Sequence, residues 1–207
     1  MPKRTHAGIA IASCLNENGI KKIFTLCGGH ISPILVGCEK FNIDVIQVRD
    51  EASTVFAADA VSRLTDSVGV AVVTAGPGVT NTVTAIKNAQ MAQSPLVLIG
   101  GAAATLLKGR GSLQDIDQVS LFKKYVKKVI SVKKVRDIKP IIQNALNESK
   151  SGVPGPIFIE LPIDLLYPEE DIRKEFSEKL PKKGFFNKIQ YWYCLLYTSP
   201  SPRDNRW

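Results

Sequence analysis

Residues 68–81 read Val-Gly-Val-Ala-Val-Val-Thr-Ala-Gly-Pro-Gly-Val-Thr-Asn, a continuous apolar run that ends in a Gly-Pro-Gly turn. An apolar run without polar alternation predicts a strand that is covered on both faces, which is typical of a parallel sheet. A second apolar run, residues 43–48, ends shortly before a carboxylate, Glu51. Because ligands bind at the carboxyl ends of strands in open α/β sheets, we expect the turn and the carboxylate to line one crevice.

Helical and strand patterns alternate along the chain on both sides of these two runs. Further strands are predicted at residues 22–26, 95–99, 126–132 and 156–160, and helices at residues 5–18, 32–40, 53–64, 79–91 and 135–148. Alternation of this kind predicts a doubly wound α/β fold, with a mainly parallel six-stranded sheet and helices on both of its faces.

The character of the sequence changes after the last predicted strand. Residues 5–165 are expected to form one domain, and residues 166–193, which include a charged, proline-flanked stretch, are expected to form an exit linker. Residues 194–207 have neither helix nor strand periodicity and resemble the translated read-through of a sequencing adaptor. We therefore expect a non-native tail there and a chain that is a fragment of a longer protein.

The net charge of +8 comes largely from one segment. Its basic residues are Lys123, Lys124, Lys127, Lys128, Lys133, Lys134, Arg136 and Lys139. Apolar residues interleave with them, which favours the solvated face of a helix–strand unit. A nucleic-acid interface would need clustered aromatic residues or a known module, so we expect no nucleic-acid partner. A patch for an anionic ligand, such as a CoA phosphate, remains an alternative at this point.

The cysteines indicate neither a metal site nor a disulfide framework. The four of them, Cys14, Cys27, Cys38 and Cys194, form no Cys-x-x-Cys pair, and the chain has only two histidines. We therefore expect reduced, buried thiols and no metal-ligating residues. No apolar stretch reaches the ~18 residues that would span a membrane.

The turn and the carboxylate each have a structural interpretation as well as a functional one. Gly76-x-Gly78-x-x-Asn81 follows a strand and opens a helix, as dinucleotide sites do, but close helix packing would favour Gly or Ala at the third position. The glycines could also serve only a tight turn. Glu51 could be a first-turn helix acid that the helix dipole favours, or a partly desolvated acid that exchanges a proton near neutral pH.

An ordered set of motifs carries a resemblance to a known family. The motifs are residues 24–29, Arg49-Asp50-Glu51, residues 57–60, residues 74–81, residues 93–96 and Gln114. In this order and spacing, from about residue 6 to residue 193, the chain resembles the N-terminal pyrimidine-binding domain of thiamine-diphosphate enzymes. Within these it is similar to the acetolactate synthase and 2-hydroxyacyl-CoA lyase group.

The resemblance implies a role for individual residues. Glu51 matches the catalytic glutamate that hydrogen-bonds N1′ of the cofactor's aminopyrimidine, and Gln114 matches a catalytic glutamine that reaches the reaction centre. Gly28 and Gly29 match a turn that lets the main chain approach the cofactor or the substrate. The pyrimidine-side wall is implied to consist of Thr74, Gly76, Pro77, Gly78 and Asn81.

The chain departs from the family pattern beside both catalytic positions. Most of the family has His before the glutamate, where this chain has Asp50. Family members more often have Phe before the glutamine and Glu after it, where this chain has Leu113 and Asp115. His30 follows the double glycine, and a role facing the substrate and a structural role are equally open.

The resemblance also implies an activity for the full-length protein. The expected reaction is thiamine-diphosphate-dependent cleavage of a 2-hydroxyacyl-CoA to a shortened aldehyde and formyl-CoA. One alternative is a carboligase of the acetolactate synthase type that condenses 2-keto acids, often with bound FAD. Another is a non-catalytic domain of the same fold.

Several parts of such an enzyme are expected to lie outside this chain. The diphosphate and its Mg²⁺ are expected on a C-terminal domain that carries Gly-Asp-Gly, a motif that does not occur here. The family shares each site between subunits, which implies a homodimer or homotetramer and an inactive fragment. The resemblance further implies an endoplasmic reticulum membrane protein that is anchored by a segment upstream of the domain.

Overall fold

The structure, a computed structural model, describes residues 6–168, 170–172, 174 and 189. Its strands within these residues are β1 (Lys22–Leu26), β2 (Asp44–Gln47), β3 (Gly69–Val73), β4 (Leu96–Ala102), β5 (Lys128–Ser131) and β6 (Pro156–Pro162). Its α-helices are α1 (Ala7–Glu17), α2 (Ser32–Lys40), α3 (Glu51–Leu64), α4 (Pro77–Thr80), α5 (Val83–Met91), α6 (Gln118–Phe122) and α7 (Ile138–Lys150). Most of the predicted linker, residues 166–193, and all of the predicted tail, residues 194–207, lie outside the described residues.

The six described strands form one sheet in the order β2-β1-β3-β4-β6-β5, and every neighbouring pair is parallel. The chain passes from β1 outward to β2 and then returns to the other side of β1 to form β3. The strand order therefore reverses between β1 and β3, and such a switch point opens a crevice at the carboxyl ends of the strands. Ligands of open α/β folds bind at such a crevice, so it is the candidate location of a site in this chain.

The helices cover the sheet on both faces and divide the core into two clusters. One cluster packs α1, α2 and α7 against side chains such as Ile23, Val72 and Ile159. The other packs α3, α4, α5 and α6 against the opposite face, where the rings of Phe122 and Phe158 stack with their centroids 4.5 Å apart. Burial on both faces explains why β3, β4 and β6 read as continuous apolar runs, whereas the edge strands β2 and β5 are largely or partly exposed and include polar residues. The predicted doubly wound α/β fold is confirmed, with a sheet that is entirely parallel among the described strands.

Two helix predictions need correction near the crevice. The helix predicted over residues 79–91 is two helices, because α4 ends at Thr80 and α5 begins at Val83. The hydroxyls of Thr80 and Thr82 donate to the carbonyl oxygens of Pro77 and Val79, over 3.2 and 2.7 Å, and such local bonds compete with a continuous helix. The short helix α6 was not predicted from the sequence, and α3 begins at Glu51 rather than at residue 53.

The basic segment lies along β5 and the loops around it, and several of its side chains have partners. Lys127 donates to the carbonyl oxygen of Glu148 near the end of α7 over 2.7 Å, and Lys128 pairs with the Glu148 carboxylate at 2.7 Å. Lys139 pairs with Glu17 at 2.8 Å. These contacts favour the interpretation of a solvated face whose cations interact with the C-terminus of α7.

The prediction of buried thiols is wrong for one of the three described cysteines. Cys14 and Cys38 are buried, but Cys27, at the end of β1, is exposed. The apolar strand ends one residue earlier, at Leu26, so that Cys27 lies on the surface beside the double glycine. Cys194 lies outside the described residues.

Candidate functional site

The carboxyl ends of β1 and β3 meet at the switch point through a glycine and a threonine. Gly28 follows β1, and a Cβ atom built on it would lie 2.5 Å from both Cβ and Oγ1 of Thr74, which follows β3. Real Cβ atoms do not approach other atoms so closely. The absence of a side chain at Gly28 therefore lets the two strand ends come together.

The turn after β3 needs glycine for a conformational reason. Gly76 has φ +61° and ψ −115°, a backbone conformation that residues with a side chain rarely adopt. Pro77 then opens α4, where its missing N–H has no helical partner to lose. A Cβ atom on Gly78 would lie 2.7 Å from Cγ2 of Thr74. The turn thus presents main chain rather than side chains to the crevice.

The candidate catalytic carboxylate stands at the first position of α3. Asp50 caps this helix, because its Oδ1 accepts from the backbone N–H of Ser53 over 3.2 Å. The next residue, Glu51, is therefore placed at the positively polarised N-terminus of α3 and is half-buried. Asp50, which stands where most of the family has His, has a definite structural role in this chain.

A single amide links this carboxylate to the turn. Nδ2 of Asn81, just after α4, donates to Oε2 of Glu51 over 2.8 Å and to Oδ2 of Asp50 over 2.9 Å. One amide nitrogen has two hydrogens, so both bonds can form at once. The other carboxylate oxygen, Oε1 of Glu51, lies 3.4 Å from the position of a Cβ atom on Gly78. This oxygen therefore lies close to the main chain of Gly78 at the turn.

Gln114 also lies against the turn, at Gly76. Its carbonyl oxygen and Cα lie 2.6 and 2.9 Å from the position of a Cβ atom on Gly76. Gln114 itself has φ +62°, in the left-handed region that is uncommon for residues with a side chain. A side chain at position 76 is thus excluded for two reasons: the positive φ of Gly76 and the close approach of the Gln114 main chain.

Gln118 also serves the turn, and it was not predicted from the sequence. Its side chain is buried; Oε1 accepts from the backbone N–H of Gly76 over 3.3 Å, and Nε2 donates to the carbonyl oxygen of Gly101 over 2.8 Å. Gln118 therefore joins the end of β4 to the turn after β3. The polar stretch in which it lies predicts exposure and gives no signal of this role.

The double glycine after β1 is held by two neighbouring side chains. The hydroxyl of Tyr167 donates to the carbonyl oxygen of Gly29 over 2.8 Å. Nδ1 of His30 lies 3.4 Å from Oγ1 of Thr74, with donor and acceptor set by the tautomer. Burial lowers the pKa of His30 below its ordinary value, so the imidazole is neutral at pH 7.

The structure brings most of the predicted site residues into direct contact. Those joined by side-chain contacts or by close approach to a missing Cβ are Gly28, Glu51, Thr74, Gly76, Gly78, Asn81 and Gln114. Gly29 adjoins Gly28 in the chain, and the carbonyl oxygen of Pro77 accepts from the Asn81 N–H. Within the part of the chain that the structure describes, no three His, Cys, Asp or Glu residues are grouped so that they could hold a metal ion.

A parallel sheet with a carboxylate and a glycine turn at its switch point agrees with the family that the sequence matches. The model of the thiamine pyrophosphate enzyme, N-terminal TPP binding domain, matches residues 5–121. The chain belongs to this family of thiamine-pyrophosphate enzymes, and the matched part is the N-terminal domain.

Comparison with individual proteins shows which members of the family the chain is similar to. The chain is 61% identical over 194 residues to "2-hydroxyacyl-CoA lyase 2" of Danio rerio, covering 94% of this chain and 31% of the relative. It is 55% identical over 192 residues to the human protein of the same name, covering 93% of this chain and 30% of the relative. It is 40% identical over 159 residues to an acetolactate synthase large subunit of Mycobacterium tuberculosis, covering 77% and 29%. The chain thus spans about 30% of the length of the curated relatives it matches.

Proposed function

We propose that this chain is the pyrimidine-binding part of a thiamine-diphosphate-dependent carbon–carbon lyase, which cleaves a 2-hydroxyacyl-CoA to a shortened aldehyde and formyl-CoA. The relatives named 2-hydroxyacyl-CoA lyase 2 support this substrate class, since they are 54–61% identical over more than nine-tenths of the chain. The observation that carries the proposal is the position of Glu51, whose Oε2 accepts from Asn81 and whose Oε1 lies beside the Gly78 turn.

The crevice suits an aminopyrimidine ring. Gly76 and Gly78 have no side chains, and a Cβ atom there would meet Gln114 or Thr74, so the turn packs closely and presents main chain at the switch point. A planar heterocycle packs well against such a surface, and its ring nitrogen can hydrogen-bond a carboxyl oxygen. In this proposal residues 5–165 form the pyrimidine-binding domain, and the residues that hold the ring are Gly28, Gly29, Glu51, Thr74, Gly76, Pro77, Gly78 and Asn81.

The proposed role of Glu51 is to hold and move a proton at the ring nitrogen. Its Oε2 is engaged by Asn81, which orients the carboxyl group and leaves Oε1 towards Gly78. A carboxyl group with one oxygen fixed and the other directed at the ligand is preorganised for proton transfer. The cofactor, when bound, supplies the electron sink for carbon–carbon bond cleavage.

The proposed role of Gln114 is to position the reacting groups of the substrate. Its main chain rests on Gly76, at the edge of the same crevice. An amide side chain can both donate and accept a hydrogen bond and carries no charge that would compete with Glu51. Gln114 thus suits orientation of a hydroxyl or carbonyl group rather than acid–base work.

Further features of the full-length protein belong to the same proposal. The diphosphate and Mg²⁺ would be held by a C-terminal domain, and the site would be shared between the subunits of a homodimer or homotetramer. The resemblance supports a place in fatty acid α-oxidation at the endoplasmic reticulum membrane. Among the described residues, no helix combines the length and the apolar character needed to cross a membrane.

A carboligase of the acetolactate synthase type is the second candidate. The mycobacterial relatives named acetolactate synthase, 40% identical over 77% of the chain, favour it. The two candidates use the same pyrimidine-binding residues and differ in substrate. They are separated by supplying the full-length protein with a 2-hydroxyacyl-CoA or with a 2-keto acid.

The test uses the full-length protein with Glu51→Gln, which keeps the size of the side chain but cannot accept or release a proton. We expect a loss of turnover of about 10²–10⁴-fold, the range for removal of a general acid–base group. Glu39→Gln, an exposed carboxylate on α2, is the matched control and should leave turnover unchanged. A folded Glu51→Gln variant that keeps its activity would reject the role of Glu51 and favour a non-catalytic domain.

A further inference from the structure

The segment that carries Gln114 has little regular structure of its own. It runs from residue 105 to residue 117, between β4 and α6, and begins with a single 3₁₀ turn at Thr105–Leu107. Apart from the contacts made by Thr105 and Lys108, its described hydrogen bonds are local, such as the one from the Gly109 N–H to Oδ2 of Asp115 at 2.5 Å. Contacts with the sheet must therefore hold this segment, and Gln114 with it, in place.

A buried carboxylate on β6 provides one such contact. Glu160 is 2% exposed, and its Oε2 accepts from Nζ of Lys108 over 2.6 Å. The same oxygen accepts from the hydroxyl of Ser131 on the neighbouring strand β5, also over 2.6 Å. The ammonium group of Lys108 is thus tied to the carboxyl end of the sheet, six residues before Gln114.

A second buried carboxylate holds the beginning of the segment. Oδ1 of Asp164 accepts from the backbone N–H of Thr105 over 3.1 Å and from its hydroxyl over 3.3 Å. Asp164 lies two residues after the end of β6 and is also 2% exposed. The two anchors lie three residues apart on the segment, so that its first part is fixed at both Thr105 and Lys108.

The Lys108–Glu160 pair is buried on one side only, since the Glu160 side chain is 2% exposed and the Lys108 side chain is 32% exposed. Desolvation of the buried partner offsets much of the attraction in such a pair, so stability alone is a poor rationale for it. Fixing the register of one element on another is the better attested use of a buried ion pair. Here the element is the Gln114 segment, and the surface on which it rests is the Gly76 turn.

We infer that Lys108 and Glu160 are positioning residues, which hold the residue 105–117 segment so that Gln114 stays against the Gly76 turn. The described side-chain hydrogen bonds of the two residues go to each other and to Ser131, not to the turn, so both would act through the main chain of the segment. The inference rests on the proposed role of Gln114, but the fixing of the segment can be measured separately from activity.

The experiment compares full-length variants by trypsin cleavage and by turnover. Cleavage after Arg110, an exposed residue two positions beyond Lys108, reports how often the segment leaves the sheet. For Lys108→Met we expect cleavage to rise about tenfold or more, as for loss of one charge-assisted hydrogen bond. We expect kcat to fall about 10–100-fold, because small misplacements of reacting groups cost that much. Lys108→Arg should restore both values.

A double variant separates positioning from simple loss of stability. Lys108→Met leaves the Glu160 carboxylate buried without its cation, which alone could destabilise the fold. Lys108→Met/Glu160→Leu removes the buried charge and should recover thermal stability. Fast cleavage and low kcat in this double variant support the inference. If both return to the values of the unaltered protein, the pair is only structural and the inference is overturned.

Lys128→Met is the matched control. Lys128 is the first residue of β5, and its substitution breaks the ion pair with Glu148. This pair is 2.7 Å long and is more exposed than the Lys108–Glu160 pair. Neither cleavage after Arg110 nor kcat should change.

Unchanged cleavage in Lys108→Met would overturn the inference, as would faster cleavage with an unaltered kcat. Absence of turnover in the unaltered protein with either substrate class would reject the proposed function, while the cleavage comparison would still decide whether the pair fixes the segment.

Discussion

The side-chain amide of Asn81 donates to Oε2 of Glu51 over 2.8 Å, joining the end of α4 to the beginning of α3 across 30 residues of sequence. The same nitrogen also donates to Oδ2 of Asp50, so one amide group hydrogen-bonds two adjacent carboxylates. We therefore expect Asn81 to orient Glu51 rather than only to line the crevice.

Asn81→Ala should lower turnover of the full-length enzyme about tenfold, because Glu51 loses the bond that fixes one of its oxygens, a bond to a charged group worth about 1.5–3 kcal/mol. Steady-state kinetics with saturating thiamine diphosphate would measure the change. Asn147→Ala, an exposed asparagine on α7, is the matched control and should have no effect. Equal turnover for Asn81→Ala and the control would contradict an orienting role.

Gly78→Ala should weaken thiamine diphosphate binding by about tenfold, since overpacking costs about 1–3 kcal/mol. The added Cβ would lie 2.7 Å from Cγ2 of Thr74 and 3.4 Å from Oε1 of Glu51. Thr74→Ser removes Cγ2, so the double variant should recover much of the affinity. Titration of the full-length protein with the cofactor, followed by fluorescence, would measure each affinity.

Gly28→Ala, alone and combined with Thr74→Ser, provides the comparison for the Gly78→Ala and Thr74→Ser double-mutant cycle. Its Cβ would meet Cβ and Oγ1 of Thr74, both at 2.5 Å, and serine retains both atoms. Thr74→Ser should therefore rescue Gly28→Ala far less than it rescues Gly78→Ala. Equal rescue at the two glycines would show that the clash with Cγ2 is not the cause.

The fold could be predicted because its strands are decided by local pattern. Continuous apolar runs such as residues 68–74 have no polar face to leave in water, so they occupy a sheet that is covered on both sides. The split between α4 and α5 could not be predicted in this way. It depends on threonine hydroxyls that bond back to the main chain, and the apolar periodicity carries no sign of this.

The arrangement of the candidate site could be predicted only in part. Glu51 and the glycine turn could be found because strand ends in a parallel sheet converge. The contacts of Gln118 with Gly76 and of Lys108 with Glu160 span 42 and 52 residues. A charged residue such as Glu160, near the end of an apolar strand, is expected to be exposed. Its burial and its ion pair with Lys108 depend on the fold and cannot be predicted from the local sequence.

The cysteines should differ sharply in reactivity. Burial raises the pKa of Cys14 to about 11 and that of Cys38 to about 12, so both remain protonated thiols at pH 8. Cys27 is exposed and lines a groove of about 680 Å³ between α2 and β2. Iodoacetamide should therefore alkylate Cys27 before the two buried cysteines.

Mass spectrometry of the peptides that contain Cys14, Cys27 and Cys38 would give the order of labelling in the folded chain. In urea the three should react at similar rates, because the protection comes from the fold. Labelling of Cys38 as fast as Cys27 without urea would contradict the packing of α2 against the sheet.

Protonation of His30 should destabilise the folded chain. Burial lowers the pKa of His30 in the folded state below the value of about 6.5 expected in the unfolded chain. Between these two values the unfolded chain binds more protons, so the free energy of unfolding falls as the pH decreases through this window. His30→Gln removes this proton uptake and should weaken the dependence on pH.

Urea unfolding of the unaltered chain and of His30→Gln, between about pH 7.5 and pH 5, would measure the effect. Carboxylates and His6 titrate in both proteins, so their contributions largely cancel in the difference. The free energy of unfolding of the unaltered chain minus that of the variant should decrease as the pH falls. A difference that stays constant over this range would mean that His30 is no harder to protonate in the folded chain than in the unfolded one.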